Sequence, residues 1–264
     1  MANFLQSSYK WWYLFWYEFK RSNTHWFGFL FSNFLRIAEL LVAVYVWVLN
    51  GAGAGIITYL ALGHAFERLS KSPFGSVLGA YINNGSHTKA LIRPQSVFLY
   101  YFISDLGFNQ TRLITSSILG LILAKVLFGS MIIWKIDFVL YLILFWPIAI
   151  GIRYFFNVFI GSLAFWIPDR ANSSSIAEGL YMLVGVLAGE IIPLGILFKD
   201  GLSFLSYNPF AWFLHIPMQV YLGNFSNYEV WLAILGGVVW CVLLYILAKL
   251  TFTFGLKKNE SVGL

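Results

Sequence analysis

The chain has 264 residues, of which 59% are hydrophobic, 20% aromatic and only 11% charged, and its formal net charge is +6. An average soluble domain carries about 25% charged residues, so this composition excludes an ordinary soluble protein and indicates a protein folded in a lipid bilayer. The basic residues lie between apolar stretches rather than in a stripe or tail, which argues against nucleic acid as a partner. A single cysteine, Cys241, excludes an internal disulfide.

The N-terminal 25 residues combine large aromatic side chains with charged ones. Trp11, Trp12, Tyr13, Phe15, Trp16 and Tyr17 are interleaved with Lys10, Glu18, Lys20 and Arg21. Aromatic rings with polar tips and long basic side chains favour the headgroup layer of a membrane. Residues 1–25 are therefore predicted to form an interfacial helix, which serves either as a simple anchor or as a surface lever tied to a cytoplasmic partner.

Apolar stretches long enough to cross a bilayer follow this helix. A spanning helix needs about 20 mostly apolar residues. This criterion predicts six spans, near residues 26–49, 53–69, 111–130, 138–166, 174–192 and 229–253. The second span is short and polar because it contains His64, Glu67 and Arg68, and the fourth contains Pro147, which should kink it.

The distribution of basic residues supports six spans with both termini in the cytoplasm. This topology puts 11 of the 17 Lys and Arg residues on the cytoplasmic side, four within spans, and only Lys135 and Lys199 outside. Such an asymmetry is expected, because the cytoplasmic loops of membrane proteins carry an excess of basic residues.

Two connections are too long to be simple turns between neighbouring spans. Residues 70–110 are expected on the cytoplasmic side, and their composition indicates a docking element. Residues 193–228 are expected on the outer side but remain apolar. Pro193, Gly195, Pro209, Pro217 and Gly223 divide this second connection into pieces too short to span. Short apolar pieces at membrane depth indicate re-entrant helices.

Among the charged residues within the predicted spans, five stand out: Arg36, Glu39, Lys125, Arg153 and Glu178. Charges inside a bilayer are costly, so each is a candidate functional group. Mutual pairing explains them more simply. Arg36 and Glu39 lie three residues apart on one helical face, and either Lys125 or Arg153 is expected to meet Glu178 across the bundle.

Motifs for catalysis by this chain are missing. No Gly-Lys dipeptide occurs, which excludes a P-loop and means that any ATP-driven work needs a partner. His64 and Glu67 form the one suggestive pair, and a di-metal carboxylate site would need a second such pair with further carboxylates, so we expect plain hydrogen bonding. We expect no cofactor or metal in this chain.

Several segments together resemble the permease subunits of type-2 ABC transporters, in the branch that pairs six-span permeases with separate ATPases. The resemblance runs along nearly the whole chain. Its anchors are Leu91-Ile92-Arg93-Pro94, Ser104-Asp105-Leu106-Gly107, Gly161-Ser162-Leu163-Ala164-Phe165-Trp166, Ala188-Gly189-Glu190-Ile191-Ile192-Pro193-Leu194, Asn208-Pro209-Phe210 and Ile216-Pro217-Met218-Gln219-Val220-Tyr221-Leu222-Gly223. Their order and spacing carry more weight than any one of them.

The resemblance implies an exporter built from two permease halves and two ATPase subunits, with ATP and magnesium held by the ATPases. A coupling helix would then lie at about Ser70–Arg93, and its contacts with the ATPase would involve Glu67, Lys71, Tyr81, Lys89 and Arg93. The outer gate would contain Glu190, Pro193, Pro209 and Pro217. Glu190 departs from the small or apolar residue expected at the mouth of that gate, where it would repel anions or face water.

The fold class expected from these observations is all-α integral membrane, with residues 1–264 forming a single permease domain in a prokaryotic cytoplasmic membrane. Its expected cargo is a lipid, peptide, glycan precursor or amphipathic drug, and its partners are the ATPase, an identical or related permease half and membrane lipids. Two alternatives stay open. One is a membrane enzyme that uses polar groups such as His64, Glu67 and Asp105, and the other is an ABC-type machine that transmits force.

Overall fold

The computed structural model describes residues 2–24, 26–92, 96–167, 170–198 and 207–262, and within these ranges it is helical without a β-strand. Its α-helices are α1 (Ala2–Asn23), α2 (Trp26–Leu49), α3 (Ala54–Arg68), α4 (Phe74–Asn83), α5 (Thr88–Leu91), α6 (Val97–Phe128), α7 (Phe138–Ser162), α8 (Arg170–Ala188), α9 (Leu194–Leu197), α10 (His215–Leu222) and α11 (Asn227–Val262). Short 3₁₀ turns lie at Gly129–Met131, Leu163–Phe165 and Pro209–Phe213.

Four of the described helical segments are long and apolar enough to cross a membrane. They are Leu30–Leu49, Leu113–Met131, Phe138–Phe165 and Asn227–Lys258. This result confirms the predicted class of an all-α membrane protein. The predicted second span corresponds to α3, which has only 15 residues, and the apolar part of the fifth is Ser175–Ala188. The count of six spans therefore stays a prediction.

Helix α3 is the most enclosed of the long helices, with twelve of its 15 residues buried. Its glycine allows this enclosure. A Cβ atom on Gly63 would lie 2.8 Å from the side chain of Leu214, so α10 packs directly on the α3 backbone. Because α3 faces protein on most sides, its polar residues meet other side chains instead of lipid.

Helix α6 is longer than the span predicted at 111–130. It begins at Val97, where the Ser96 hydroxyl accepts a hydrogen bond from the backbone N–H of Leu99 at 3.4 Å. The aromatic stretch that precedes the predicted span is thus the first half of the same helix. Helix α1 packs along this half, and a Cβ atom on Gly107 would lie 2.6 Å from the Phe15 carbonyl oxygen.

Helix α4 packs closely against the second half of α7. A Cβ atom on Gly161 would lie 2.7 Å from the Leu78 Cβ atom and 2.8 Å from the Gly75 carbonyl oxygen. The two backbones therefore touch at a pair of glycines, one on each helix. Pro147 also lies inside α7, in its first half and well away from Gly161.

The described residues between α8 and α11 make contacts at two places, one on α7 and one just before it. Phe213 packs on the guanidinium group of Arg153, about 22 Å along α7 from its first residue at 1.5 Å per residue. Nine residues later α10 ends at Leu222, and the next residue, Gly223, adopts a positive φ of 84°. There Tyr221 accepts a hydrogen bond from the backbone N–H of Lys135, at 2.6 Å, just before α7 begins.

Candidate functional site

A cluster of buried charges lies where α3, α7 and the residues after α8 meet. Glu67 is only 1% exposed, and its carboxylate lies 2.7 Å from an Arg153 guanidinium nitrogen and 3.7 Å from Lys71 Nζ. Lys71 Nζ also lies 3.5 Å from the Glu190 carboxylate. The Arg153 guanidinium carbon is 3.8 Å from the centre of the Phe213 ring. Lys71 is 40% exposed, but charges as deeply buried as those of Glu67 and Arg153 persist only when paired, and here each has an opposite charge beside it.

A second ion pair extends the cluster to α2. An Arg68 guanidinium nitrogen lies 3.1 Å from the Glu39 carboxylate, and the Arg68 side chain is 3% exposed. Together the two groups contain three carboxylates and three basic residues, so their formal charges balance. Arg68 and Phe213 were not singled out from the sequence. For Arg68 a signal was available, because it follows Glu67 in a span too short and polar to face lipid.

The pairing expected from the sequence differs from the pairing in the structure. Glu39 pairs with Arg68 of α3, and Arg153 pairs with Glu67 rather than with Glu178. Helical spacing suggested a partner for Glu39 on α2 itself and did not indicate the partner that α3 supplies. Glu178 is exposed on the surface of α8, whereas Arg153 is buried, which explains why the two side chains do not meet.

Near the charged cluster, hydrogen bonds between uncharged groups connect α8, α7 and the residues between α3 and α4. The Tyr181 hydroxyl of α8 donates to the Asn157 side-chain oxygen at 2.8 Å. The Asn157 amide nitrogen donates to the Ser72 carbonyl oxygen at 3.1 Å, and Asn157 is fully buried. Since Ser72 lies between α3 and α4, these bonds link α8 and α7 to the start of α4.

A groove of about 750 Å³ opens beside the charged cluster. Its walls are apolar residues of α2 and α8 and of the turn after α8: Ala43, Val46, Met182, Leu183, Val186 and Ile191. Its base carries Glu39, His64, Lys71 and Glu190. Among the described residues, the buried Nε2 atom of His64 has no hydrogen-bond partner. Apolar walls with a polar base suit a molecule that has both apolar and polar parts.

A separate cavity of about 270 Å³ lies between α1, α4 and α6 and contains two acidic residues. Glu18 is 3% exposed and lies 2.9 Å from an Arg21 guanidinium nitrogen. Asp105 accepts hydrogen bonds from the Ser72 hydroxyl at 2.7 Å and the Asn109 amide at 2.6 Å. Burial raises the pKa of the Asp105 carboxyl from its ordinary 3.8 to about 6, despite these hydrogen bonds.

Asp105→Asn should stabilise the protein at neutral pH. A carboxyl whose pKa is higher in the folded state binds its proton more tightly there, so its stabilising contribution is complete below pH 4 and is lost as the pH rises through about 6. The amide oxygen of Asn still accepts both hydrogen bonds without carrying a charge. Thermal unfolding in detergent should give the variant a gain on the order of 2 kcal/mol over wild type at pH 7.5 and little at pH 4.

The matched control for this experiment is Asp137→Asn, at an exposed position just before α7. It removes one carboxylate without relieving burial, so it should leave the pH profile unchanged. An Asp105→Asn profile parallel to that of the wild type would contradict the effect assigned to burial.

The structure brings some of the sequence-predicted residues together and leaves others apart. Among the expected ATPase contacts, Glu67 and Lys71 join the charged cluster, while Tyr81 is half-buried and Lys89 exposed. Arg93 lies outside the described residues. Glu190 is also part of the cluster, and its side chain is 12% exposed.

The other predicted residues occupy scattered positions. Pro193 and Pro217 are buried and Pro209 is half-buried, at the start of α9, inside α10 and at a 3₁₀ turn respectively. Arg36 is half-buried on α2 and Lys125 is exposed on α6. Asp105 lines a different cavity from His64, so the residues proposed for a membrane enzyme do not converge. Within the described ranges, no three His, Cys, Asp or Glu side chains are grouped as they would be around a metal.

Comparison with protein-family models matches residues 37–263 to the family described as ABC-2 family transporter protein. The match includes every helix from α3 to α11 and part of α2. No curated protein and no solved structure shows significant similarity to the chain.

Proposed function

The chain belongs to the ABC-2 family of transporter proteins, and we propose that it is one membrane half of an ATP-driven exporter. Membership of this family implies a permease subunit that works with an ABC ATPase. We propose an assembly of two ATPase subunits and two permease halves, the second identical or related, in a prokaryotic cytoplasmic membrane. Both termini would be cytoplasmic, and ATP and magnesium would bind to the ATPases.

The charged cluster is the observation that carries this proposal, because it connects the elements that an exporter must move together. Helix α4 would be the coupling helix, held on α7 through Gly75 and Gly161. From α7 the contact continues through Arg153 to Glu67 on α3 and to Phe213 in the outer segment. A displacement of α4 by the ATPase would therefore reach both α3 and the outer segment.

The outer segment would act as a gate. In its described part, Phe213 lies beside Arg153 and Tyr221 lies beside Lys135, and these two contacts support a re-entrant arrangement of the 3₁₀ turn and α10. The groove beside it supports an amphipathic cargo such as a lipid or an amphipathic drug, whose polar part would meet the charged base. ATP binding would shift the gate between two conformations only if the ATPase makes different contacts with the permease in each of them. The gate in this chain would be the element that adopts the two conformations.

Purification of the tagged chain from its native membrane in a mild detergent tests the assembly. We expect an ABC ATPase to co-purify in equal amount, and either one or two permease sequences in the complex, as mass spectrometry will distinguish. In sealed vesicles, this complex should move a fluorescent amphiphile only when ATP is present.

A matched preparation with a catalytically dead ATPase controls for leakage in the transport assay. It should retain the permease but show no ATP-dependent movement of the amphiphile. Isolation of the chain without any ATPase, under conditions that keep it folded, would contradict the proposed energy source.

A further inference from the structure

Two neighbouring cavities lie between α1, α4, α5 and α6, and together they are called the cleft below. The first is the acidic cavity of about 270 Å³, and the second has a volume of about 310 Å³. Both are lined by Arg21, Tyr81, Tyr100 and Tyr101, so they share one wall. This cleft is distinct from the groove between α2 and α8, and the proposed transport cycle assigns no role to it.

Charges of opposite sign stand at different ends of the cleft. Glu18 and Asp105 line the first cavity, and Lys89 lines the second, which contains no carboxylate among its described lining residues. Arg21 stands between them. Glu18 and Arg21 form an ion pair at 2.9 Å, whereas Asp105 has no ion-pair partner among the described residues. Arg21 also lines the second cavity, so the basic groups there are Arg21 and Lys89.

The acidic end of the cleft is also rich in aromatic rings. Phe74 and Tyr101 have ring centres 5.4 Å apart, and the rings of Tyr81 and Tyr101 are 6.5 Å apart. Phe108 lines the same cavity. Aromatic rings around a carboxylate are suited to an ammonium group, which is attracted to the ring faces as well as to the negative charge. Lys89, Arg21 and tyrosine hydroxyls are suited to a phosphate at the other end.

The surroundings of the cleft favour a lipid over a soluble molecule. Tyr13, Tyr17 and Arg21 follow one another at four-residue spacing, so they form a line along one side of α1. The side chains of Tyr13 and Tyr17 are exposed, at 67% and 53%. A helix with exposed aromatic and basic residues of this kind lies in the headgroup layer, and Arg21 leads from that helix directly into the cleft.

We propose that the cleft binds the headgroup of a zwitterionic phospholipid, with its phosphate beside Arg21 and Lys89 and its ammonium group beside Asp105. The bound lipid would join the interfacial helix α1 to α4 and α6. Tyr81 and Lys89, expected from the sequence to contact the ATPase, would then contact lipid instead.

Native mass spectrometry of the delipidated, detergent-solubilised full chain tests the proposal, with phosphatidylethanolamine and phosphatidylglycerol of the same acyl chains as probes. Wild type should bind phosphatidylethanolamine about fivefold more tightly than phosphatidylglycerol, because only the former carries an ammonium group. Asp105→Asn keeps its hydrogen bonds and should lose this preference. Lys89→Gln should weaken both lipids about fivefold, as expected for one basic residue near phosphate.

The control variant is Lys20→Gln, which removes an exposed charge beside Arg21 but outside the cleft and should bind both lipids as wild type does. Equal binding of the two lipids by wild type, or unchanged binding by both cleft variants, would overturn the proposal. So would full displacement of the lipid by soluble phosphoethanolamine, which would make a soluble compound the ligand. Displacement on adding the ATPase would assign the cleft to that partner.

Discussion

Replacing Arg153 by Met should prevent the protein from accumulating in a folded form. The variant removes the nearer basic partner of the Glu67 carboxylate, which is only 1% exposed, and leaves it with Lys71 at 3.7 Å, a side chain 40% exposed. Removing one member of a buried ion pair costs about 3–5 kcal/mol, a large part of the stability of an ordinary domain. The measurement is the yield of monodisperse protein after solubilisation, together with its unfolding temperature.

The double variant Glu67→Met with Arg153→Met separates the cost of an unpaired charge from the value of the pair. Replacement of both partners by apolar residues is often neutral or stabilising, so folding should recover. Lys71 would still have Glu190 at 3.5 Å. If the pair transmits motion from α7 to α3, the folded double variant should bind the ATPase yet transport poorly.

Lys125→Met is the matched control, because it removes a basic residue from a predicted span at an exposed position. Its yield should be close to that of the wild type. A stable Arg153→Met protein, or a double variant less stable than the single one, would contradict the energetic role assigned to the pair. Full transport by the double variant would exclude the pair from the transmission path.

The sequence alone predicted the fold class and most helix positions because these depend on local properties. Apolar length identified α2, α7 and the start of α11 within a few residues, and aromatic and basic residues identified α1. Helix α11 continues past the predicted end of its span at residue 253 to Val262. Helix α6 was predicted too short, because polar residues such as Asp105 and Asn109 lowered the hydropathy of its first half. Those residues bond to each other and to Ser72, which a linear pattern does not reveal.

The composition of the charged cluster was beyond prediction for a related reason. Helical spacing suggests partners on the same helix, whereas Glu67 and Arg153 are separated by 86 positions in the sequence. The family resemblance placed Glu190, near the end of the predicted fifth span, at the mouth of an outer gate, and that role stays a prediction. Its ion pair with Lys71, at 3.5 Å, joins residues far apart in the sequence and could not be read from a linear pattern.

Gly161→Leu should strongly weaken the coupling of ATP hydrolysis to transport while leaving the protein in the membrane. The new Cβ atom would lie 2.8 Å from the Gly75 carbonyl oxygen and 2.7 Å from Leu78 Cβ, so α4 must move away from α7. Forcing extra atoms into a packed contact costs about 1–3 kcal/mol, and 1.4 kcal/mol corresponds to a roughly tenfold change in rate. We therefore expect ATP-dependent transport to fall roughly tenfold or more, with the ATPase still bound and hydrolysing ATP.

Two further variants make this expectation decisive. Gly179→Leu adds the same side chain at an α8 position where a Cβ atom meets nothing within 4 Å, so transport should be retained. Gly161→Ala adds only the Cβ atom and should give an intermediate loss in a protein that folds. Normal transport by Gly161→Leu would remove the α4–α7 contact from the coupling path. Of these two glycines, Gly161 lies at the contact between the α4 and α7 backbones and Gly179 does not. Equal losses of transport in the Gly161 and Gly179 variants would therefore indicate a general effect of side-chain size.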